Sequence, residues 1–139
     1  MTHPSEWPTL CEDYPVESYL QHSKWTDAIY RPYFGERCEI WPVGIDTEAW
    51  QPTSPTSKKP INFLIYDKIH WNREDREQDL VTPIVARLNT AGLTHTTLRY
   101  GHYEPGEYRT ALNECQAMIF LSAHESQGIA LTEQRIGGN

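Results

Sequence analysis

Three runs of residues from position 61 onward predict the strands of a sheet. Residues 61–66 form a nearly continuous apolar run with β-branched and aromatic members, and residues 117–122 form another apolar run. Because both faces of a parallel sheet are usually covered, unbroken apolar runs of this kind are typical of buried parallel strands. Residues 94–100, which lie between the two runs, predict a further strand.

Apolar residues recur at helical spacing between the first two predicted strands. These residues are Leu80, Val81, Ile84, Val85 and Leu88, and a glycine at position 92 follows as a helix stop. Pro83 leaves two alternatives, since it either lies in the first turn of a helix capped by Thr82 or kinks a longer helix. The preceding residues, 72–79, are charged and predict a solvated stretch.

Two more helices complete an alternating pattern. A short helix is predicted by Tyr108, Leu112 and Cys115 after a turn at Pro105–Gly106, and another over residues 129–134. Alternating strands and helices indicate an α/β fold with a Rossmann-like parallel sheet and right-handed crossovers. Such sheets bind ligands beyond the carboxyl ends of their strands, so the loops after the first and third strands are the informative ones.

The first fifty residues are less regular and contain four of the five tryptophans. A short strand is predicted over residues 16–21, a helix capped by Ser23 over 23–33, and a strand over 38–43. Residues 51–60 are polar and contain three prolines, which predicts a linker. The predicted domains are therefore 1–50, the linker 51–60, and a Rossmann-like domain over 61–139.

Composition narrows the classes of function. Lys and Arg total 12 against 19 for Asp and Glu, and this net charge of −7 argues against non-specific nucleic-acid binding. No apolar run is long enough to form a transmembrane segment, and the N-terminus lacks a secretory-signal pattern, so we expect a cytoplasmic protein. The three cysteines form no Cys-x-x-Cys pair, and neither a dinucleotide fingerprint nor a Walker A loop is present.

The residues after the third predicted strand carry the clearest chemistry. Glu125 lies in the expected loop and Glu133 in the helix that follows, with Gly128 between them. The backbone amides of Ile129 and Ala130 are expected at the positive end of the helix dipole, which suits a diphosphate. Carboxylates accept hydrogen bonds from paired hydroxyls, which suits a sugar and a ribose. A nucleotide-diphosphate sugar fits this arrangement.

These residues also resemble a known family. Residues 122–133 read Ser-x-x-Glu-x-x-Gly-x-x-x-x-Glu, which resembles the Glu-x7-Glu signature of retaining glycosyltransferases with the GT-B fold, the glycosyl transferases of group 1. Residues 40–50 contain Pro-Val-Gly-Ile-Asp, similar to the segment where such enzymes pass from the acceptor domain to the donor domain. Residues 19–25 resemble the last strand and helix start of the acceptor domain. The resemblance implies a partial GT-B donor-binding domain, preceded by a short α/β segment from the acceptor-domain side.

The resemblance also implies roles for individual residues. Glu125 would be the catalytic position and contact hydroxyls of the transferred sugar, and Glu133 would bind the ribose of the nucleotide. The other implied donor contacts are Gly128, Ile129 and Ala130 through their amides, and Lys68, Arg73 and His124 through their side chains. The usual Gly-Arg and Lys-Gly spacing of the family is absent around Lys68 and Arg73. Family members need neither a metal nor a cofactor, because cationic groups stabilise the leaving phosphate.

The chain departs from the family at its ends. A family enzyme continues after Glu133 with Ala-x-x-x-Gly-x-Pro-Val, another strand and a closing helix, whereas this chain ends at Asn139. Most of an acceptor domain is also missing before residue 1. The resemblance therefore implies an incomplete, truncated enzyme that binds the nucleotide-sugar donor but is not active as the isolated chain.

Two alternatives from other classes stay open. The first is a non-catalytic interaction module, a partial sheet that a partner chain or a second copy completes. The second is a phosphate-binding regulatory domain, which shares the anion site but does not need two carboxylates that accept hydroxyl hydrogen bonds.

Overall fold

A computed structural model describes residues 9–53, 55–123, 125 and 128–136. The chain divides into two compact units. One contains residues up to Gly44 together with Gly128, and the other runs from Ile45 to Glu125 and from Ile129 onward. Each unit has its own parallel sheet. None of the described helices combines the length and the apolar character needed to cross a membrane.

The N-terminal unit contains a pair of short parallel strands and one long helix. Its elements are α1 (Leu10–Asp13), β1 (Tyr19–Gln21), α2 (Lys24–Phe34), a 3₁₀ turn (Gly35–Arg37) and β2 (Cys38–Ile40). The capped helix predicted here is confirmed, because the Ser23 hydroxyl accepts a hydrogen bond from the Thr26 amide at 3.2 Å. The strands predicted over 16–21 and 38–43 exist but are shorter, since β1 and β2 pair over three residues each.

The C-terminal unit contains the predicted alternation of strands and helices. Its elements are a 3₁₀ turn (Thr56–Lys58), β3 (Ile61–Lys68), α3 (Arg73–Arg76), a π turn (Glu77–Val81), α4 (Thr82–Thr90), β4 (His95–Arg99), α5 (Pro105–Glu114), β5 (Cys115–Ser122) and α6 (Ile129–Ile136). The strand order is β4-β3-β5, and both pairings are parallel. The unit is therefore a mixed α/β structure with a three-stranded parallel sheet, compatible with a Rossmann-like fold.

Both faces of the central strand are covered, as its unbroken apolar run predicts. Leu64 and Tyr66 face α5 and pack with Tyr108 and Leu112. Ile65 lies on the opposite face, where it packs with residues of α4 and β5, among them Leu88 and Leu121. Leu64, Ile65 and Tyr66 are at most 1% exposed, so β3 is the centre of the core.

Of the two alternatives for Pro83, the structure supports the longer helix. Residues 73–90 are helical throughout, and the π turn Glu77–Val81 lies directly before α4. Thr82 has helical dihedral angles, φ −58° and ψ −47°, so it is not a cap. Because proline lacks an amide hydrogen and crowds the preceding turn, a wider π turn at this point accommodates it. The helix ends at Thr90 before Gly92, whose φ of +68° suits the predicted stop.

The interpretation of Cys115 as a helical residue is wrong. Glu114 is the last residue of α5, and Cys115 begins β5 with φ −97° and ψ 140°, opposite Ile61 in the sheet. Its side chain is fully buried, and burial raises the pKa of the thiol to about 11. The predicted turn at Pro105–Gly106 is also wrong, because these residues form the first turn of α5, where proline is favoured.

The predicted linker ends in a residue that belongs to the core. Lys59 is only 3% exposed, and its Nζ donates a hydrogen bond to the carbonyl of Leu112 at 2.8 Å. Its own carbonyl accepts a hydrogen bond from the Gln116 side chain at 2.9 Å. Burial lowers the pKa of this lysine. The end of the 51–60 segment is therefore fixed to α5 and β5, although its composition is that of a linker.

Candidate functional site

The connections of the three-stranded sheet change direction at its central strand. The chain leaves β3 through α3 and α4 to β4 on one side, then returns through α5 to β5 on the other side. The two connections pack on opposite faces of the sheet, one around Ile65 and the other around Leu64 and Tyr66. In open α/β sheets this arrangement leaves a crevice outside the carboxyl ends of the two diverging strands, where ligands bind. Here the two strands are β3 and β5.

Two of the predicted site residues meet at this crevice. Lys68 is the last residue of β3 and lies opposite Ser122 of β5 in the register. Its Nζ donates to both carboxylate oxygens of Glu125, at 2.9 and 2.8 Å. Both side chains are 22% exposed, so the pair is accessible from solvent. For a ligand that carries an anionic group next to hydroxyl groups, Lys68 supplies a cation for the anionic group and Glu125 supplies acceptor oxygens for the hydroxyls.

Arg73, the first residue of α3, is bound to a different carboxylate. Its guanidinium makes two hydrogen bonds to Asp67, at 3.1 and 2.6 Å, and Asp67 is only 2% exposed. Burial by itself raises the pKa of Asp67. The hydrogen bonds from Arg73 and from the Ile69 amide outweigh this effect and lower it. This pairing was not predicted, because Asp67 follows the predicted strand 61–66 and only the fold brings Arg73 to it.

Glu133 faces an aromatic cavity on the α5 side of the sheet. The cavity has a volume of about 430 Å³, and its walls include Trp50, Tyr103, Tyr108 and Arg109. Burial raises the pKa of the Glu133 carboxyl. Arg109 lies 5.9 Å from the centre of the Trp50 ring and donates a hydrogen bond to the carbonyl of Ala49. The cavity thus combines flat aromatic surfaces with one carboxylate and one cation.

The start of α6 is anchored to α5 through its backbone. The Tyr108 hydroxyl donates to the carbonyl of Ala130 at 2.7 Å, and Ala130 packs against the core. Ile129 is 42% exposed. Gly128, the residue before the helix, is buried and has a φ of +70°, a conformation that favours glycine. His124 lies outside the described residues.

Glu133 is the one residue in the lining of the aromatic cavity that was predicted as a site residue. Trp50 belongs to the segment before the linker, while Tyr103 and Arg109 come from the loop before α5 and from α5 itself. Trp50 is far from Tyr103 and Arg109 in the sequence, and it meets them because it packs against the core cluster that contains Tyr108 of α5. The concentration of tryptophans in the first fifty residues was the only signal in the sequence, and it did not indicate binding.

Comparisons with family models, with characterised proteins and with solved structures found no match for this chain.

Proposed function

We propose that this chain is the donor-nucleotide part of a retaining glycosyltransferase of the GT-B type and that it binds a nucleotide-diphosphate sugar. The observation that carries the proposal is the Lys68–Glu125 pair at the crevice between β3 and β5. Lys68 supplies a cation for the diphosphate, and Glu125 supplies two acceptor oxygens for sugar hydroxyls. Binding of the donor exchanges the Lys68–Glu125 ion pair for these two sets of contacts.

The aromatic cavity supplies the second half of the proposed donor site. The carboxylate of Glu133 accepts hydrogen bonds from the two ribose hydroxyls, while Trp50 and Tyr103 offer ring surfaces to the base. A volume of about 430 Å³ lies within the range of about 300–1,000 Å³ that is usual for small-molecule sites. The uncharged ribose and the base suit this cavity, and the charged diphosphate suits Lys68.

The first experiment is a thermal-shift titration with UDP, GDP, ADP and their common sugar conjugates. A ligand that binds only the native state stabilises it by about 2.7 kcal/mol at a hundredfold excess over Kd. We expect a saturable rise in Tm that is selective for one nucleotide. A protein that melts cooperatively but shifts with none of these ligands would contradict the proposal.

Glu133→Gln tests the assignment of the ribose contact. Because the amide keeps only one acceptor oxygen, we expect the Kd of the selected nucleotide to rise about tenfold, with the Tm of the free protein unchanged within a few degrees. Glu74→Gln, which removes an exposed carboxylate of α3, is the matched control and should bind the nucleotide as the wild type does. Equal affinity in the two variants would remove Glu133 from the site.

One observation favours the interaction module as a second candidate. Trp25, Ile29 and Tyr33 recur every fourth residue along α2, and they are 55%, 39% and 46% exposed. Residues with this spacing lie on one face of a helix, and an exposed apolar face of this kind often contacts another protein. Light scattering over a concentration series tests self-association, and a rise in apparent mass that Trp25→Ser abolishes would favour this candidate.

A further inference from the structure

A separate cavity lies on the other side of the central strand, at the carboxyl ends of β3 and β4. We call it the β3–β4 cavity. It has a volume of about 240 Å³, and the side chains that matter in its wall are Asp67, Lys68, His70, Arg73, Arg99 and His102. Because β3 lies between β4 and β5, this cavity and the crevice at Lys68–Glu125 are on opposite sides of the same strand. Lys68 borders both.

The wall of this cavity is cationic although the whole chain is acidic. Its lining contains the cations Lys68, Arg73 and Arg99 and one carboxylate, that of Asp67, while the chain carries a formal net charge of −7. Two of these cations also have carboxylate partners outside the lining, since Lys68 pairs with Glu125 and Arg73 with Glu77. Both oxygens of Asp67 already accept hydrogen bonds from Arg73. Its Oδ1 also accepts the amide of Ile69. The carboxylate is therefore occupied within the protein and is not directed at a ligand.

Arg99 is the third cation in the lining of the cavity, and unlike Lys68 and Arg73 it has no carboxylate partner among the described residues. It is the last residue of β4, lies opposite Asp67 in the register and is exposed. Within the described part of the chain it forms no ion pair. A guanidinium in this position presents a planar set of donors that matches the oxygens of a phosphate group.

The other walls of the cavity keep these groups in place. The Nζ of Lys68 lies 4.9 Å from the centre of the Tyr100 ring. The centres of the His70 and Tyr100 rings are 5.5 Å apart, and the two rings are nearly perpendicular. Tyr100 thus holds Lys68 and His70 around one side of the cavity. A volume of about 240 Å³ is below the usual range for whole small molecules and suits a single small anion.

We propose that the β3–β4 cavity is a phosphate-binding site, distinct from the donor site, in which Arg99 is the principal ligand. The group that it takes is a phosphate dianion, either as the free ion or as the phosphoryl end of a small metabolite. This site does not depend on the proposed donor function, because Arg99 and His102 have no part in that function.

Isothermal titration of the purified chain with inorganic phosphate, at an ionic strength fixed with chloride, tests the site. We expect saturable binding that weakens at least about tenfold in Arg99→Gln, because a charged hydrogen-bond donor is lost. The matched control is Arg87→Gln, which removes the same charge from an exposed position of α4 and should bind phosphate as the wild type does. Arg99→Lys keeps the charge and should give an intermediate affinity, with circular dichroism confirming that all variants are folded.

Two results would overturn the proposal. One is the absence of saturable phosphate binding in the wild type, and the other is an equal loss of affinity in Arg99→Gln and Arg87→Gln. A parallel titration with glucose 6-phosphate identifies the source of the phosphate group. Tighter binding than inorganic phosphate indicates a phosphorylated metabolite, and weaker binding indicates the free ion.

The nucleotide titration separates this site from the proposed donor site. Arg99→Gln should keep the affinity of the wild type for any nucleotide that the wild type binds. If the variant loses nucleotide and phosphate binding together, the cavity is part of the donor site and the separate site is disproved. If the wild type binds phosphate but no nucleotide, the donor function fails while the phosphate site stands.

Discussion

Two consecutive residues at the end of β3 form ion pairs with different partners. Asp67 pairs with Arg73, while Lys68 pairs with Glu125. Successive side chains of a strand point to opposite faces of a sheet, so a single strand end can serve two separate purposes. The buried Asp67 pair fixes the loop after β3, and the accessible Lys68 pair is available for exchange with a ligand.

Replacing Asp67 with Asn should reveal the stabilising role of its ion pair through pH. The folded-state pKa of Asp67 is lowered, so its contribution to stability is complete above the unfolded pKa of about 3.9. That contribution is lost as the pH falls through the folded-state pKa. We expect Asp67→Asn to lower the free energy of unfolding by about 2–3 kcal/mol at pH 7. The difference from the wild type should shrink towards zero near pH 2.

Urea unfolding at the two pH values measures this difference. Asp79→Asn is the control, because Asp79 is exposed in the π turn, and it should match the wild type at pH 7. A difference between Asp67→Asn and the wild type that stays the same at both pH values would show that Asp67 acts through packing rather than through its charge.

At the scale of the element, caps and backbone geometry decide where helices begin. The helix of the N-terminal unit starts after Ser23, whose hydroxyl satisfies the Thr26 amide. In the other unit α5 starts at Pro105, and the Glu107 carboxylate accepts the Glu104 amide at 2.7 Å. Each start satisfies donors that the first turn of a helix leaves without a partner.

Ser23→Ala should loosen the start of α2. Loss of an N-cap hydroxyl costs about 1 kcal/mol, which corresponds to a roughly fivefold larger equilibrium constant for opening of the first turns. Hydrogen exchange of the α2 amides, read by mass spectrometry, measures the effect directly. Ser23→Asp keeps an acceptor at the cap and should restore the protection of the wild type, whereas equal exchange in both variants would contradict the capping role.

The sequence predicted those elements whose signal is local. The unbroken apolar runs of β3 and β5 and the spacing of α4 each lie within one segment, so periodicity is sufficient. Cys115 was misassigned because it continues the spacing of Tyr108 and Leu112, although the chain turns into a strand after Glu114. Lys59 could not be recognised as buried, because its partner, the Leu112 carbonyl, is brought to it by the fold.

The candidate site shows the same limit. Lys68, Glu125 and Arg73 were predicted as site residues from the sequence. The ion pair between Lys68 and Glu125 was not predicted, and neither was the ion pair between Arg73 and Asp67. Each of these contacts joins the end of β3 to a residue beyond a loop whose path the sequence pattern does not define. Residue types that suit a chemistry can be read from a motif, while the partner that each residue takes depends on the packed structure.

At the scale of the whole molecule, the chain divides between Gly44 and Ile45 into its two units. Residues 41–46 have no regular secondary structure, and Trp41 is 67% exposed. Limited digestion with proteinase K should therefore cut within 41–46 before it cuts within 61–122, because exposed segments without regular structure are cleaved first. Mass spectrometry of the first fragments measures the order, and an initial cut within 61–122 would contradict this division.

The position of β3 at the centre of its sheet has a consequence for synthesis on the ribosome. Both neighbours of β3 come later in the chain, so its apolar residues leave the ribosome before either pairing strand exists. Leu64 and Ile65 must wait for β4 and then for β5 before their backbone groups are paired on both sides. During that interval the nascent chain presents an apolar segment of the kind that binds chaperones or aggregates. The strand at the centre of the finished sheet is thus the one that stays unpaired for longest while this unit is being made.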